Sequence, residues 1–204
     1  MNYKIDIQEF LPVNKVGSKN NAVTFLKYET DAEALEKFRL LKQSLLNINR
    51  WNINSGKNPT KFFLYDENLG DESSLAEEND LVKIKIPAPA NKVGNGFDWV
   101  KIIKIKEIGN NDFQAILIQM KPHYCPENKD KKIAHFYTND ATSTFILAKE
   151  NKAIQLSVHG RNEIPNTKNI GFINSLRNYF VAKGGIFGGS KIQWQDFVEE
   201  FVKN

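Results

Sequence analysis

Six strand-like segments follow one another between Lys61 and His159, with no stretch of helical period between them; in those at 81–86 and 153–159 apolar and polar residues alternate. They fall at about 61–66, 81–86, 98–107, 113–121, 143–149 and 153–159. Alternation with a period of two places one face of a strand on a core and the other on solvent. Parallel strands need crossover connections, usually helices, whereas antiparallel strands need only turns. The connections Gly109-Asn110-Asn111-Asp112 and Glu150-Asn151-Lys152 are of turn length and composition. A mostly antiparallel sheet is expected in preference to a parallel βαβ arrangement.

Two further strands are expected ahead of this run. Tyr3, Ile5 and Ile7 oppose Lys4, Asp6 and Gln8, giving a strand at about 3–10, and Ala22 to Tyr28 gives a second. Thr30-Asp31-Ala32-Glu33 has the form of a capping box. Leu35, Phe38, Leu41, Leu45 and Ile48 follow it at helical spacing, which predicts a helix over about 31–50. Near the C-terminus, Ile170, Ile173, Leu176 and Phe180 predict a helix at about 168–183, stopped by Gly184-Gly185. Ser190-Lys191-Ile192-Gln193 reads as another capping box, and Trp194, Phe197, Val198 and Phe201 form the buried stripe of a last helix.

The expected architecture is a single α+β domain over 1–204. It has a mostly antiparallel sheet of about six to eight strands, free to curve or to approach a barrel. One helix follows the second strand, and two helices lie at the C-terminus. By topology alone, this order is similar to the helix-grip fold of lipid-transfer and cyclase-like proteins, where a curved sheet wraps a long C-terminal helix. Function drawn from such a likeness is analogy.

Composition narrows the function classes. The 204 residues suffice for one good-sized core. No apolar run approaches the roughly 20 residues of a membrane helix. The N-terminus has neither the apolar block nor the cleavage site of a signal peptide. The cytoplasm is the expected compartment, although export of the folded chain would leave no mark. The single Cys125 forms no internal disulfide. The net charge of +4 comes mainly from lysines interleaved with acids, and the arginines are Arg39, Arg50, Arg161 and Arg177. That distribution argues against specific nucleic-acid recognition, which favours arginine forks, and leaves at most weak nonspecific association.

The densest polar cluster is His159-Gly160-Arg161-Asn162-Glu163. Strand parity puts His159 on the polar face with Gln155 and Ser157, opposite Ile154, Leu156 and Val158. In a catalytic reading, His159 is a general base, Arg161 an anion clamp and Glu163 an orienting carboxylate. In the plainer reading these residues finish a solvated strand end. A polar face of an antiparallel sheet usually meets water, so an exposed rim suited to a partner is expected. The segment Pro87 to Trp99 is rich in Pro and Gly and ends in Phe97-Asp98-Trp99, a second candidate lining for a ligand site.

The long connection 122–142 holds His123, Cys125 and His135, weak metal candidates whose spacing matches no standard metal motif. Gly184 to Lys191 lacks the Ser or Thr of a phosphate loop, and Asp66 to Asp80 lacks the ligand order of a calcium loop. No cofactor is expected. The function expected is a non-catalytic binding or interaction domain for a protein partner or a small molecule, with Phe97, Asp98, Trp99, His159, Arg161, Asn162 and Glu163 as its binding residues. The alternative is a small-molecule enzyme of hydrolase or isomerase type built on the His/Arg/Glu cluster.

Overall fold

The computed structural model describes residues 3–53, 60–66, 75–86, 90–110, 112–167 and 189–203. The strands are β1 (Ser18–Lys27), β2 (Asn52–Ile53), β3 (Thr60–Tyr65), β4 (Leu81–Lys85), β5 (Asp98–Gly109), β6 (Phe113–Pro122), β7 (Thr142–Glu150) and β8 (Ala153–Glu163). They form one antiparallel sheet in the order β1-β8-β7-β6-β5-β4-β3-β2. Helix α1 (Asp31–Leu46) follows β1, and α2 (Gly189–Phe201) closes the described chain. The helix expected at 168–183 lies outside the described residues.

Thr30 opens α1 with a complete capping box. Its hydroxyl accepts from Glu33 N, and the Glu33 carboxylate accepts from Thr30 N. Ala34, Phe38, Leu41 and Leu45 bury one stripe. The helix ends at Leu46, and residues 48–50 continue as a short 3-10 turn that brings Trp51 under the sheet. Helix α2 is described from Gly189, and the capping box expected at Ser190 rests on side chains outside the described residues. Phe197 and Val198 are buried, and Trp194 and Phe201 pack half-buried against the same core.

The two helices share one face of the sheet, and Trp51 joins them to it. Its ring centroid lies 5.7 Å from Phe62, 4.7 Å from Phe145, 5.3 Å from Phe197 and 6.4 Å from Phe201. Its indole N–H donates to Ser44 O of α1 at 3.3 Å. The sheet curls around α2. The Trp194 ring lies 6.5 Å from Phe62 on β3, while the next residue, Gln195, exchanges hydrogen bonds with Val23 N and O on β1 at 3.3 and 3.2 Å. In a flat sheet β1 and β3 would stand about 29 Å apart, six strand spacings. Two adjacent side chains cannot bridge that distance. Gln195 thereby also covers part of the β1 edge, a position that would otherwise offer free backbone groups to another chain.

The first expected strand, 3–10, is not a strand. Residues 3–7 run irregularly across the opposite face of the sheet, and Gln8–Phe10 form a 3-10 turn. The alternation was real, because Ile5 and Ile7 are buried against Ala115, Leu117, Ile146 and Ala148. The backbone partner is a side chain and not a strand. Gln155 Oε1 accepts from Lys4 N and Ile5 N at 3.1 and 3.3 Å, and its Nε2 donates to Ile5 O at 3.3 Å. The apparently polar face of β8 is therefore an interior face.

Trp51 is the fold's central contact. Trp51→Ala should destabilise the protein by about 3–5 kcal/mol in denaturant unfolding, as for other large buried aromatic deletions. A loss below about 1 kcal/mol would place the load elsewhere in the core.

Candidate functional site

At one end of the helix-covered face, the sheet, the 135–137 segment and Trp194 enclose a cavity of about 60 Å³. Its floor comes from the inward residues of successive strands, among them Phe62, Val100, Met120 and Phe145. Asp98 shares their parity and opens β5 facing inward, with 2% of its surface exposed. Asn91 Nδ2 donates to Asp98 Oδ1 at 2.8 Å. Asp98 Oδ2 has no hydrogen-bond partner among the described residues, and neither do the buried hydroxyls of Thr60 and Thr142, which line the same cavity. Buried polar atoms are normally paired. Three unmet ones around one cavity mark a place where an occupant supplies the missing bonds.

Glu163 enters this cavity through a break in β8. Gly160 pairs with Asn20 and Glu163 with Ser18, so three steps on β8 oppose two on β1. Asn162 takes up the extra residue with a φ of 54°, a conformation that Asn tolerates better than most residues. Such a bulge re-aims the side chain that follows it. Without it, Glu163 would keep the parity of His159 and face the other way. The Glu163 carboxylate instead folds over Gly160, where an added Cβ would collide with Glu163 Oε1 and Asn20 Nδ2. Asn20 Nδ2 donates to Glu163 Oε1, and Ser18 Oγ lies 3.4 Å from Oε2.

His135 reaches the cavity from the long 122–142 connection. Asn166 anchors the segment by donating from Nδ2 to His135 O and Ile133 O at 3.1 and 3.3 Å. His135 Nδ1 accepts from Tyr137 N at 3.0 Å, which leaves the ring proton on Nε2.

Burial sets the charge state of these groups. Desolvation raises Asp98 to about 7, opposed by the Asn91 bond and then by the Phe136 amide. Desolvation also raises Glu163 to about 7, against bonds from Ser18, Tyr137 and Asn20 and the nearby Arg161 charge. His135 is lowered to about 3 by desolvation and is neutral at physiological pH. The cavity thus holds two carboxyl groups poised near neutrality beside a neutral imidazole.

His159 and Arg161 lie across the sheet from this cavity. His159 is fully buried beneath the N-terminal segment. Its Nδ1 lies 2.8 Å from Asn21 Oδ1 and its Nε2 2.9 Å from Ser157 Oγ, so both ring nitrogens are occupied. The Tyr3 ring stands edge-on at 5.5 Å. Desolvation first, and then Arg161, lower His159 to about 3. Arg161 Nη1 donates to Asn20 O and Gly160 O at 3.0 and 2.7 Å. The expected exposed rim is therefore interior, because residues 3–7 cover it. Asn162 is held as well: its Oδ1 accepts from Lys15 N and Val16 N at 2.7 and 3.2 Å.

Of the second candidate group, only Asp98 faces the cavity. Trp99 packs on the opposite face with Leu81, Cys125 and Ala134, its indole N–H donating to Gly94 O at 3.0 Å. Phe97 meets Phe63 edge-on at 6.1 Å. His123, Cys125 and His135 are not brought together. Cys125 is buried against Trp99, His123 Nδ1 sits 2.9 Å from Tyr124 O, and His135 faces the cavity. Among the described residues no group of three His, Cys, Asp or Glu is placed to hold a metal, and no helix is long and apolar enough to cross a membrane. Sequence reasoning missed Thr60 and Thr142. Each is an ordinary strand-terminal threonine, and only the cavity distinguishes them.

No protein-family profile and no curated protein matches the chain. Among solved structures it is similar to a hypothetical protein from Helicobacter pylori, at 9% identity over 98% of this chain and 96% of that one, with a TM-score of 0.45. It is similar to a major latex-like protein from Panax ginseng at 10% identity, over 83% of this chain and 100% of that one, with a TM-score of 0.32. A Staphylococcus epidermidis protein overlaps at 8% identity over 90% and 92% of the two chains, again with a TM-score of 0.32. Likenesses this loose carry no argument about the site.

The buried ionisable groups oppose one another in their effect on stability. Asp98 and Glu163 are raised from 3.8 and 4.5 to about 7, so the native state holds extra protons in that window and loses stability as pH rises through it. His135 and His159 are lowered from 6.5 to about 3, so their contribution is full above 6.5 and is lost as pH falls toward 3. Asp98→Asn removes one of the first pair. Relative to wild type, the variant should gain about 2 to 3 kcal/mol in chemical denaturation on going from pH 5 to pH 8. An unchanged difference between the two pH values would mean that Asp98 ionises normally.

Proposed function

We propose that this protein is a small-molecule binding domain whose site is the cavity around Asp98, Glu163 and His135. The observation that carries this reading is the set of unpartnered polar atoms, Thr60 Oγ1, Asp98 Oδ2 and Thr142 Oγ1, around one apolar-walled space. A few fixed polar groups in a largely apolar concavity are the usual composition of a ligand site. The volume of about 60 Å³ limits the occupant to a small molecule or to the head of a larger one. The sheet curled around α2 supports a helix-grip-like arrangement, in which the space between sheet and C-terminal helix is the binding site.

A second reading, a small-molecule enzyme, draws support from the two carboxyl groups at about 7, the range in which a general acid or base works best near neutral pH. Its residues would be Asp98, Glu163 and His135, with His159 and Arg161 in a supporting layer across the sheet.

Filling the cavity tests the binding reading. Ser143 lines it from β7 and is half-buried. Ser143→Phe should keep the wild-type fold by circular dichroism while abolishing the ligand-detected NMR signals of small fragments that bind the wild type. Fragments that bind both forms alike would place the site elsewhere. Fragments that are chemically changed by the wild type alone would favour the enzyme reading.

A further inference from the structure

We infer that the cavity selects a compact organic cation, a small amine or the amino head of a larger molecule, whose ammonium group lies against Asp98 Oδ2. This rests on the cavity being the binding site and deepens that reading by naming the ligand class.

Three observations converge on a cation. First, the cavity's buried, unpartnered acceptor is one oxygen of a carboxyl group whose other oxygen is already fixed by Asn91. The group is held in place before any ligand arrives, so little ordering is needed on binding. Second, a further carboxyl group, Glu163, is turned into the same space by the Asn162 bulge. Two carboxyl groups repel an anion and give a neutral alcohol no advantage over water. Third, the walls are aromatic: Phe62, Phe136, Phe145 and Trp194. Ring faces attract an ammonium group through their quadrupole, and the attraction strengthens where water is excluded.

The one lysine of the described lining, Lys121, forms no ion pair with either carboxyl group and is half-exposed. The Thr60 hydroxyl, on the inward parity of Phe62, can accept from a second ammonium hydrogen. The volume of about 60 Å³ fits an ammonium group with a few carbons and excludes a bulky polyamine held entirely inside.

The groups that face the bound cation are Asp98, Glu163, His135, Tyr137 and Lys121, with Arg161 acting on Glu163 through the sheet. The carboxyl groups are partly protonated at neutral pH, so an entering ammonium ion displaces protons. Apparent affinity should therefore rise with pH through 7, in a range where an alkylamine itself remains charged.

The test uses the full chain, isotope-labelled, with n-butylammonium, n-butanol and butyrate as probes in NMR titrations read at Val100, Thr142 and the Trp194 indole. The expected result is saturable shifts for n-butylammonium, with n-butanol and butyrate at least tenfold weaker. Affinity for n-butylammonium should fall roughly tenfold from pH 8 to pH 6, as one protonation per binding event requires. Asp98→Asn should weaken it at least tenfold, and Glu163→Gln should weaken it less. If Asp98→Asn does not fold, the wild-type pH dependence and Glu163→Gln decide the matter. Binding of n-butanol as tight as that of n-butylammonium, a preference for butyrate, or affinity independent of pH would overturn the cation assignment and leave the cavity as a binding site of other chemistry. If no probe shifts the cavity residues at any pH, the cation assignment fails together with the binding reading.

Discussion

The structure depends on Trp51. One indole touches the sheet through Phe62 and Phe145, the C-terminal helix through Phe197 and Phe201, and α1 through its N–H bond to Ser44. An antiparallel sheet with two helices on one face has no backbone ladder between its layers, so side-chain contacts set their spacing. Aromatic rings suit this because each buries a large area and accepts several tilted neighbours. The same rings determine where packing stops. Phe62, Phe145 and Trp194 belong to the aromatic core and also line the cavity. The site begins where the apolar core runs out of side chains to fill the curl of the sheet.

That position explains the chemistry of the site. A carboxyl group at the end of a packed core loses water without gaining a counter-ion, and its neutral form is favoured. Asp98 has amide donors in Asn91 and Phe136 but no salt bridge among the described residues, and Glu163 has several polar neighbours but is withdrawn from water. A protein selected only for stability gains nothing from this arrangement, since an apolar residue in either place would avoid the desolvation penalty. A site that must hold a polar ligand in a small dry space does gain from it. The opposite face shows the contrasting solution. His159, Ser157, Gln155 and Thr144 are equally buried, but each meets a partner within the sheet or in the N-terminal segment. They form a satisfied interior layer.

Much of the fold was legible because its signals are local. Short apolar or alternating runs located the strands from β3 to β8, turn composition made them antiparallel, and Thr30 with Glu33 marked the start of α1. The errors share one cause. Alternation reports that every second residue is buried, not what buries it. Tyr3, Ile5 and Ile7 alternate because they cover the sheet, and Gln155, Ser157 and His159 read as a wet face because their cover lies some 150 residues away in sequence. In the candidate site, Asp98 and Glu163 were both among the expected residues, but in the wrong company. The Asn162 bulge inverts the parity of Glu163 relative to His159, and Asp98 faces away from Phe97 and Trp99. No local pattern announces that one residue of a strand will take a positive φ. His135 came from a loop that offered no periodicity, and only the tertiary fold brings it to the same cavity as Asp98 and Glu163.

The central claim is that burial displaces two carboxyl groups of the cavity from their ordinary ionisation and that one of them, Asp98, keeps an oxygen for a ligand. Carbon-13 NMR of the side-chain carboxyl groups as a function of pH tests it most directly, because each group reports its own titration. The account predicts that Asp98 and Glu163 titrate near 7 in the unliganded protein. Titration of both near their solution values of 3.8 and 4.5 would show that water reaches them freely, and would contradict the account.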